Sequence, residues 1–324
     1  MFPMHRYFFC VPTKMSIERG PREDLKGLLW FLLEHTKGED AKESARQEMD
    51  EEKTKFLESA LNSMTTDVMK DFQIAISILD DDSSEVSDKI NALNTIRDNI
   101  DDIDFANSFV KAGGSMYLIK FLTHQQWEIK SLAAYIIAEM SQNNPFCQKL
   151  FSDSKTIPIL IEHLRESPVV AHSSLHALSS LINNFELGLQ EFLKADGINA
   201  LLCCLCKSDS KLMLRACFLI GKLGQREDLR DGMVEKSAIV RLVRCLPMTF
   251  DKYDINVETA LYALCELLKS DKWKIDNGQA EKLKVLTGGI VRNKLAYPED
   301  EEIYGYASEI LQRINDHLAK IKQY

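Results

Sequence analysis

The chain has 324 residues, 45% hydrophobic and 27% charged, a composition that excludes wholesale disorder and a fibrous repeat. Its 40 Lys and Arg against 49 Asp and Glu give a net charge of −9, which argues against a general nucleic-acid binder, because such a protein needs a basic face. Only 14 Gly and 8 Pro leave few of the turns a sheet protein uses, so the composition leans towards helices.

Residues 1–15 carry a short apolar patch, Tyr7–Pro12, shorter than the core of a secretory signal and broken by proline. A cytoplasmic protein is expected. No run of 18 apolar residues predicts a membrane helix. Residues 20–79 have helical periodicity, with apolar stretches at Leu25–Leu33 and Glu52–Leu61 separated by the highly charged Thr36–Glu51. The expected organisation is a flexible segment 1–51 with a short apolar helix at 25–34, then a folded body over 52–322. Met64–Leu79 forms a further amphipathic helix, and Asp80–Ser84 (DDDSS) breaks the pattern.

From Lys89 the chain repeats itself. Gly114–Leu122 (GSMYLIKFL), Thr156–Leu164 (TIPILIEHL), Gly197–Leu205 (GINALLCCL) and Ala238–Leu246 (AIVRLVRCL) share an apolar spacing that finishes on leucine. Their starts lie 42, 41 and 41 residues apart. A second series, Ile136–Met140, Ala177–Leu181, Leu219–Leu223 and Ala263–Leu267, starts at intervals of 41, 42 and 44 residues. Its third position is always small (Ala138, Ser179, Gly221, Cys265), as close helix stacking demands. A period of about 40–47 residues with two or three helices per unit is the signature of armadillo or HEAT repeats. The expected fold is therefore an all-α, armadillo-like α-solenoid of about four repeats over about 100–270, capped by helices within 52–79 and 277–322. Stacking is obligatory, since one repeat cannot bury its apolar face alone.

Chemistry-bearing motifs are missing. There is no GxGxxG, GxxxxGK[ST], HExxH or GxSxG, so no enzyme is expected. His172 and His176 stand one helical turn apart with no carboxylate or cysteine at helical spacing. In Cys203-Cys204-x-Cys206 the thiols do not converge tetrahedrally from one helix. Neither predicts a metal, and no cofactor is implied. Most of the eight cysteines sit in apolar helical patterns, as free thiols of a reducing compartment do. Repeat proteins of this kind bind through the face lined by the last helix of each unit. The polar ends of those helices are candidate contacts: Gln142, Asn143 and Asn144, and Asn183 and Asn184, which can also be helix C-caps. Arg215 begins the next such helix. The tryptophans Trp30, Trp127 and Trp273 lie outside the four aligned third-helix segments, which disfavours a receptor for extended basic peptides.

These residues resemble a family, the armadillo-type nucleotide exchange factors of the 70-kDa heat-shock chaperone (FES-type and heat-shock-protein-binding-protein). Leu28–Glu34 (LLWFLLE) is similar to the family's opening helix. Asp102–Gly114 (DIDFANSFVKAGG) resembles the segment leading into its first repeat. Ser141–Asn144 (SQNN), Ala177–Asn184 (ALSSLINN) with Phe192–Gly197 (FLKADG), and Lys211–Leu219 (KLMLRACFL) follow in the family's order. Phe105 stands where the family usually has Asn. Asn183 stands where it often has Arg, so one cationic contact is expected to be missing.

The resemblance implies a monomeric co-chaperone, binding neither nucleic acid nor membrane, whose inner face embraces the nucleotide-binding domain of the chaperone and ejects ADP. Matching positions are Ala106, Asn107, Gln142, Asn143, Asn144 and Arg215. Ala106 is small and would let the partner approach. Leu28, Leu29, Trp30 and Phe31 would help expel client. The alternative is an armadillo scaffold that binds another protein or peptide.

Overall fold

The 41-residue period becomes three helices per repeat. A computed structural model describes residues 68–207, 209–250, 252–293 and 301–321, all of them in one unit that begins at Asn62. The segment 1–51, with Leu28, Leu29, Trp30 and Phe31, lies outside the described residues. Helix α1 spans 68–80, and α2 spans Val86–Arg97. The first repeat is α3 (Ile103–Lys111), α4 (Ser115–Phe121) and α5 (Trp127–Ser141). The second is α6 (Pro145–Asp153), α7 (Thr156–His163) and α8 (Pro168–Ile182), and the third is α9 (Glu186–Lys194), α10 (Gly197–Cys204) and α11 (Ser210–Gly224). The fourth is α12 (Glu227–Glu235), α13 (Ala238–Cys245) and α14 (Ile255–Leu267), followed by α15 (Asn277–Arg292) and α16 (Glu301–Ile321). Among the described residues there is no strand.

The local chemistry repeats with the helices. The short first helix of each unit inserts one large side chain at the same place, Phe109, Phe151, Phe192 and Met233, each fully buried. The turn that follows always uses a left-handed residue: Gly113, Lys155, Asp196 and Ser237, with φ of 85°, 55°, 57° and 64°. Gly197 is kept for a different reason, since a Cβ there would strike the Phe192 ring. Gly114 faces Phe109 in the same way. Helix starts are capped by short polar side chains: Asp102 accepts from the amides of Asp104 and Phe105, Asp209 from that of Leu212, and Asp276 closes a capping box with Gln279.

The third helices stack on one another in order, α2 on α5, α5 on α8, α8 on α11, α11 on α14 and α14 on α16. One continuous apolar core runs from Phe72 to Ile314. The stack is not uniform, because α8 and α11 approach less closely than α5 and α8 or α11 and α14. Small residues explain the close pairs. Ser131 and Ser173 share a hydrogen bond of 2.8 Å between α5 and α8, and Gly221 lets the Tyr262 ring lie on α11.

Candidate partner-binding face

Aromatic residues at the same place on successive third helices form a row. The residue just before each member of the second series carries a ring: Tyr135, His176, Phe218 and Tyr262, and Tyr306 on α16 continues them. Ring centroids stand 5.6 Å apart for Tyr135 and His176, 6.2 Å for Phe218 and Tyr262, and 5.7 Å for Tyr262 and Tyr306. Trp127 is the exposed first residue of α5, and Trp273 packs instead on His317.

Polar side chains flank the rings across α5, α8 and α11. The Gln142 amide nitrogen donates to Glu139 Oε2 at 3.1 Å and stands 3.4 Å from His176 Nε2. Arg215 Nε donates to His172 Nε2 at 2.9 Å. Lys222 Nζ donates to Asn183 Oδ1 at 2.6 Å. Burial keeps both histidines neutral at physiological pH. Desolvation, reinforced by the Arg215 charge, pushes His172 down to about 4 and His176 to about 3. His172 therefore accepts with a bare Nε2 and is no cation. Burial pushes the Glu139 carboxyl up, opposed by a hydrogen bond from Tyr135 and the Arg215 charge. Burial pushes Arg215 down, opposed by Tyr135 and Glu139.

The candidate contacts do not share one role. Gln142, Asn183 and Arg215 lie half-buried in this row. Asn143 and Asn184 are exposed at the helix ends with φ of 50° and 55°, the left-handed conformation of an asparagine C-cap. Asn144 is 3% exposed and caps α6, accepting from the Cys147 amide at 3.4 Å while its Nδ2 donates to Asn107 Oδ1 at 3.0 Å. Its side chain is spent on the fold. Asn107 is half-buried beside it. Ala106 corrects an expectation: it is 1% exposed within α3 and presents no surface to a partner. Its smallness serves core packing. Asn183 itself carries no charge, but the Lys222 ammonium stands beside it, reaching across from the next repeat.

Other polar features serve the fold. The acidic run at 80–82 faces α4, with Tyr117 donating to Asp80 at 2.7 Å and Lys120 pairing Asp82 at 2.9 Å. Cys204 is buried, whereas Cys203 and Cys206 are exposed. Among the described residues no three His, Cys, Asp or Glu side chains gather as a metal site. No helix there is long and apolar enough to cross a membrane.

Residues 25–109 match the family profile described as nucleotide exchange factor Fes1, and residues 105–227 match the SIL1/FES1/HPBP1 C-terminal domain. The chain belongs to the SIL1/FES1/HPBP1 family. Its family matches take in the part of the row from Tyr135 to Lys222 and leave out Tyr262 and Tyr306. Among relatives, Hsp70 nucleotide exchange factor FES1 of Coccidioides immitis is 27% identical over 161 residues, 48% of this chain and 74% of that one. Nucleotide exchange factor SIL1 of Xenopus laevis is 27% identical over 149 residues, 45% of this chain but only 33% of the relative. Human Hsp70-binding protein 1 is 24% identical over 270 residues, 76% and 72% of the two chains. A designed armadillo repeat protein superposes with a TM-score of 0.58 at 17% identity, covering 74% of this chain and 98% of that one. An engineered protein gives 0.59 at 20% identity, covering 77% and 97%. These neighbours establish the armadillo-type fold of this family member.

Proposed function

We propose that this chain is a co-chaperone that binds the nucleotide-binding domain of a 70-kDa heat-shock chaperone and accelerates release of ADP. The observation that carries the reading is the position of the family match, 25–227, which contains every residue of the polar row from Glu139 to Lys222. The physical requirement is differential affinity, since a factor that held open and closed clefts equally would shift nothing. A 100-fold faster release requires about 2.7 kcal/mol of preferential stabilisation of the opening step, at ~1.36 kcal/mol per decade. Arg215, Gln142, Asn183 and the rings beside them can supply it through a few desolvated contacts.

The proposed organisation is a segment 1–51 followed by the solenoid of 52–322, acting as a monomer. Leu28, Leu29, Trp30 and Phe31 would act as apolar bait that helps displace client. Cys147, Cys204, Cys217 and Cys265 are buried in the apolar core, where a cysteine serves as a small hydrophobe, and this supports a reducing compartment and hence a cytosolic chaperone.

The test is release of a fluorescent ADP analogue from a cytosolic 70-kDa chaperone, chased with ATP, with and without the full chain. Marked acceleration supports the reading. No acceleration by a folded helical protein refutes it and leaves an armadillo scaffold for another partner.

A further inference from the structure

Among the described residues, Lys222 is a cation without a counter-charge. It is half-buried on α11, and its Nζ is held by a neutral amide oxygen, Asn183 Oδ1 at 2.6 Å. Burial pushes its ammonium down, and no carboxylate among the described residues opposes that push. The place equivalent to Lys222 in the fourth repeat is Glu266, which is already closed by its own Lys269 at 2.8 Å. Seven residues earlier on the same helix stands Arg215, held by the neutral ring of His172 at 2.9 Å. Glu139, a carboxylate that attracts it, is engaged by Gln142 and Tyr135.

A half-buried cation has lost hydration that neutral dipoles only partly replace. A carboxylate brought in from outside restores the missing interaction, and the charge-assisted hydrogen bond it forms is among the stronger ones available to a surface. The neutral holders also fix the side chains beforehand, so little rotamer entropy is lost on binding. Both cations stand where α8 and α11 approach less closely than the other third helices of the stack.

We propose that Lys222 is an anchoring residue for the chaperone, receiving an aspartate or glutamate side chain of its nucleotide-binding domain while Arg215 receives a second. The inference rests on the function proposed above and adds the chemistry of the partner surface. Seven residues of α-helix rise about 10 Å, so the two acidic side chains must be spaced by about that distance.

The experiment uses the full chain and titrates it against the nucleotide-free cytosolic 70-kDa chaperone at low and high salt. Three variants are compared with the natural chain. Lys222→Gln removes the charge. Asn183→Asp leaves the lysine in place but satisfies it from within, and keeps the fold because it adds an ion pair. Lys222→Arg preserves the charge. The expected result is about tenfold weaker binding for Lys222→Gln and Asn183→Asp at low salt, a shallower salt dependence for both, and near-natural binding for Lys222→Arg. Unchanged affinity and salt dependence in Lys222→Gln and Asn183→Asp, with the natural chain binding, overturns this inference and leaves the exchange function standing. Failure of the natural chain to bind overturns both.

Discussion

Gly221 leaves room for the ring of Tyr262, one repeat further along the stack, and a Cβ at this position would strike that ring. In an ordinary helix interior, replacing glycine by alanine stabilises by up to about 1 kcal/mol. Here the added methyl enters a ring that is itself 5% exposed and packed beside Tyr306. Overpacking of that kind costs roughly 1–3 kcal/mol, so the clash outweighs the propensity. Gly221→Ala is expected to lower the urea midpoint; a midpoint raised above that of the natural chain would show that the ring moves aside freely.

Ala106→Arg separates packing from contact. A long cation forced into a site 1% exposed must displace α3 or its neighbours. The expected outcome is a loss of about 3 kcal/mol or more and a broadened thermal transition. Any loss of chaperone binding in this variant would then reflect unfolding. An unshifted transition would restore the side chain to the surface and to the list of candidate contacts.

Asn144→Ala removes a helix cap and a buried amide that holds Asn107. Caps contribute about 1 kcal/mol and a satisfied buried polar group a similar amount. Chemical denaturation should report about 1–2 kcal/mol lost, with the affinity of the folded protein for the chaperone unchanged. A binding defect larger than the folding defect would assign Asn144 to the interface.

The buried histidines impose a pH dependence on stability. His172 and His176 have folded values of about 4 and about 3 against an ordinary 6.5. Below pH 6.5 the unfolded chain takes up protons that the folded chain refuses, so stability falls as pH drops from 6.5 and the effect is absent above it. The slope for each approaches ~1.4 kcal/mol per pH unit. His176→Phe should flatten the melting temperature between pH 6.5 and pH 5 relative to the natural chain; parallel pH curves would mean that His176 is protonated in the folded state.

Much of this was legible in the sequence because apolar periodicity and small-residue positions are set by packing between neighbouring helices. The four repeats and the small third position of Ala138, Ser179, Gly221 and Cys265 followed directly. The row of rings was missed because residue type changes along it, from Tyr135 through His176 and Phe218 to Tyr262. Its signal was available, since an aromatic ring stands just before every member of the second series. The burial of Ala106 and Asn144 was not legible, because sequence does not distinguish a small residue that admits a partner from one that admits a neighbouring helix. Nor does it separate a polar residue that faces solvent from one that caps a helix below the surface. Lys222 was missed for a different reason: its ammonium serves the preceding repeat, at Asn183, and only the stacking brings them together.

The central claim is that the α5, α8 and α11 face opens the nucleotide cleft of a 70-kDa chaperone. Its most direct measurement is the rate of ADP-analogue release from the cytosolic chaperone in the presence of the natural chain and of Arg215→Ala. The expected result is marked acceleration by the natural chain and loss of most of it in Arg215→Ala, with helical content and melting temperature retained. Acceleration that survives intact in Arg215→Ala would contradict the assignment of this face.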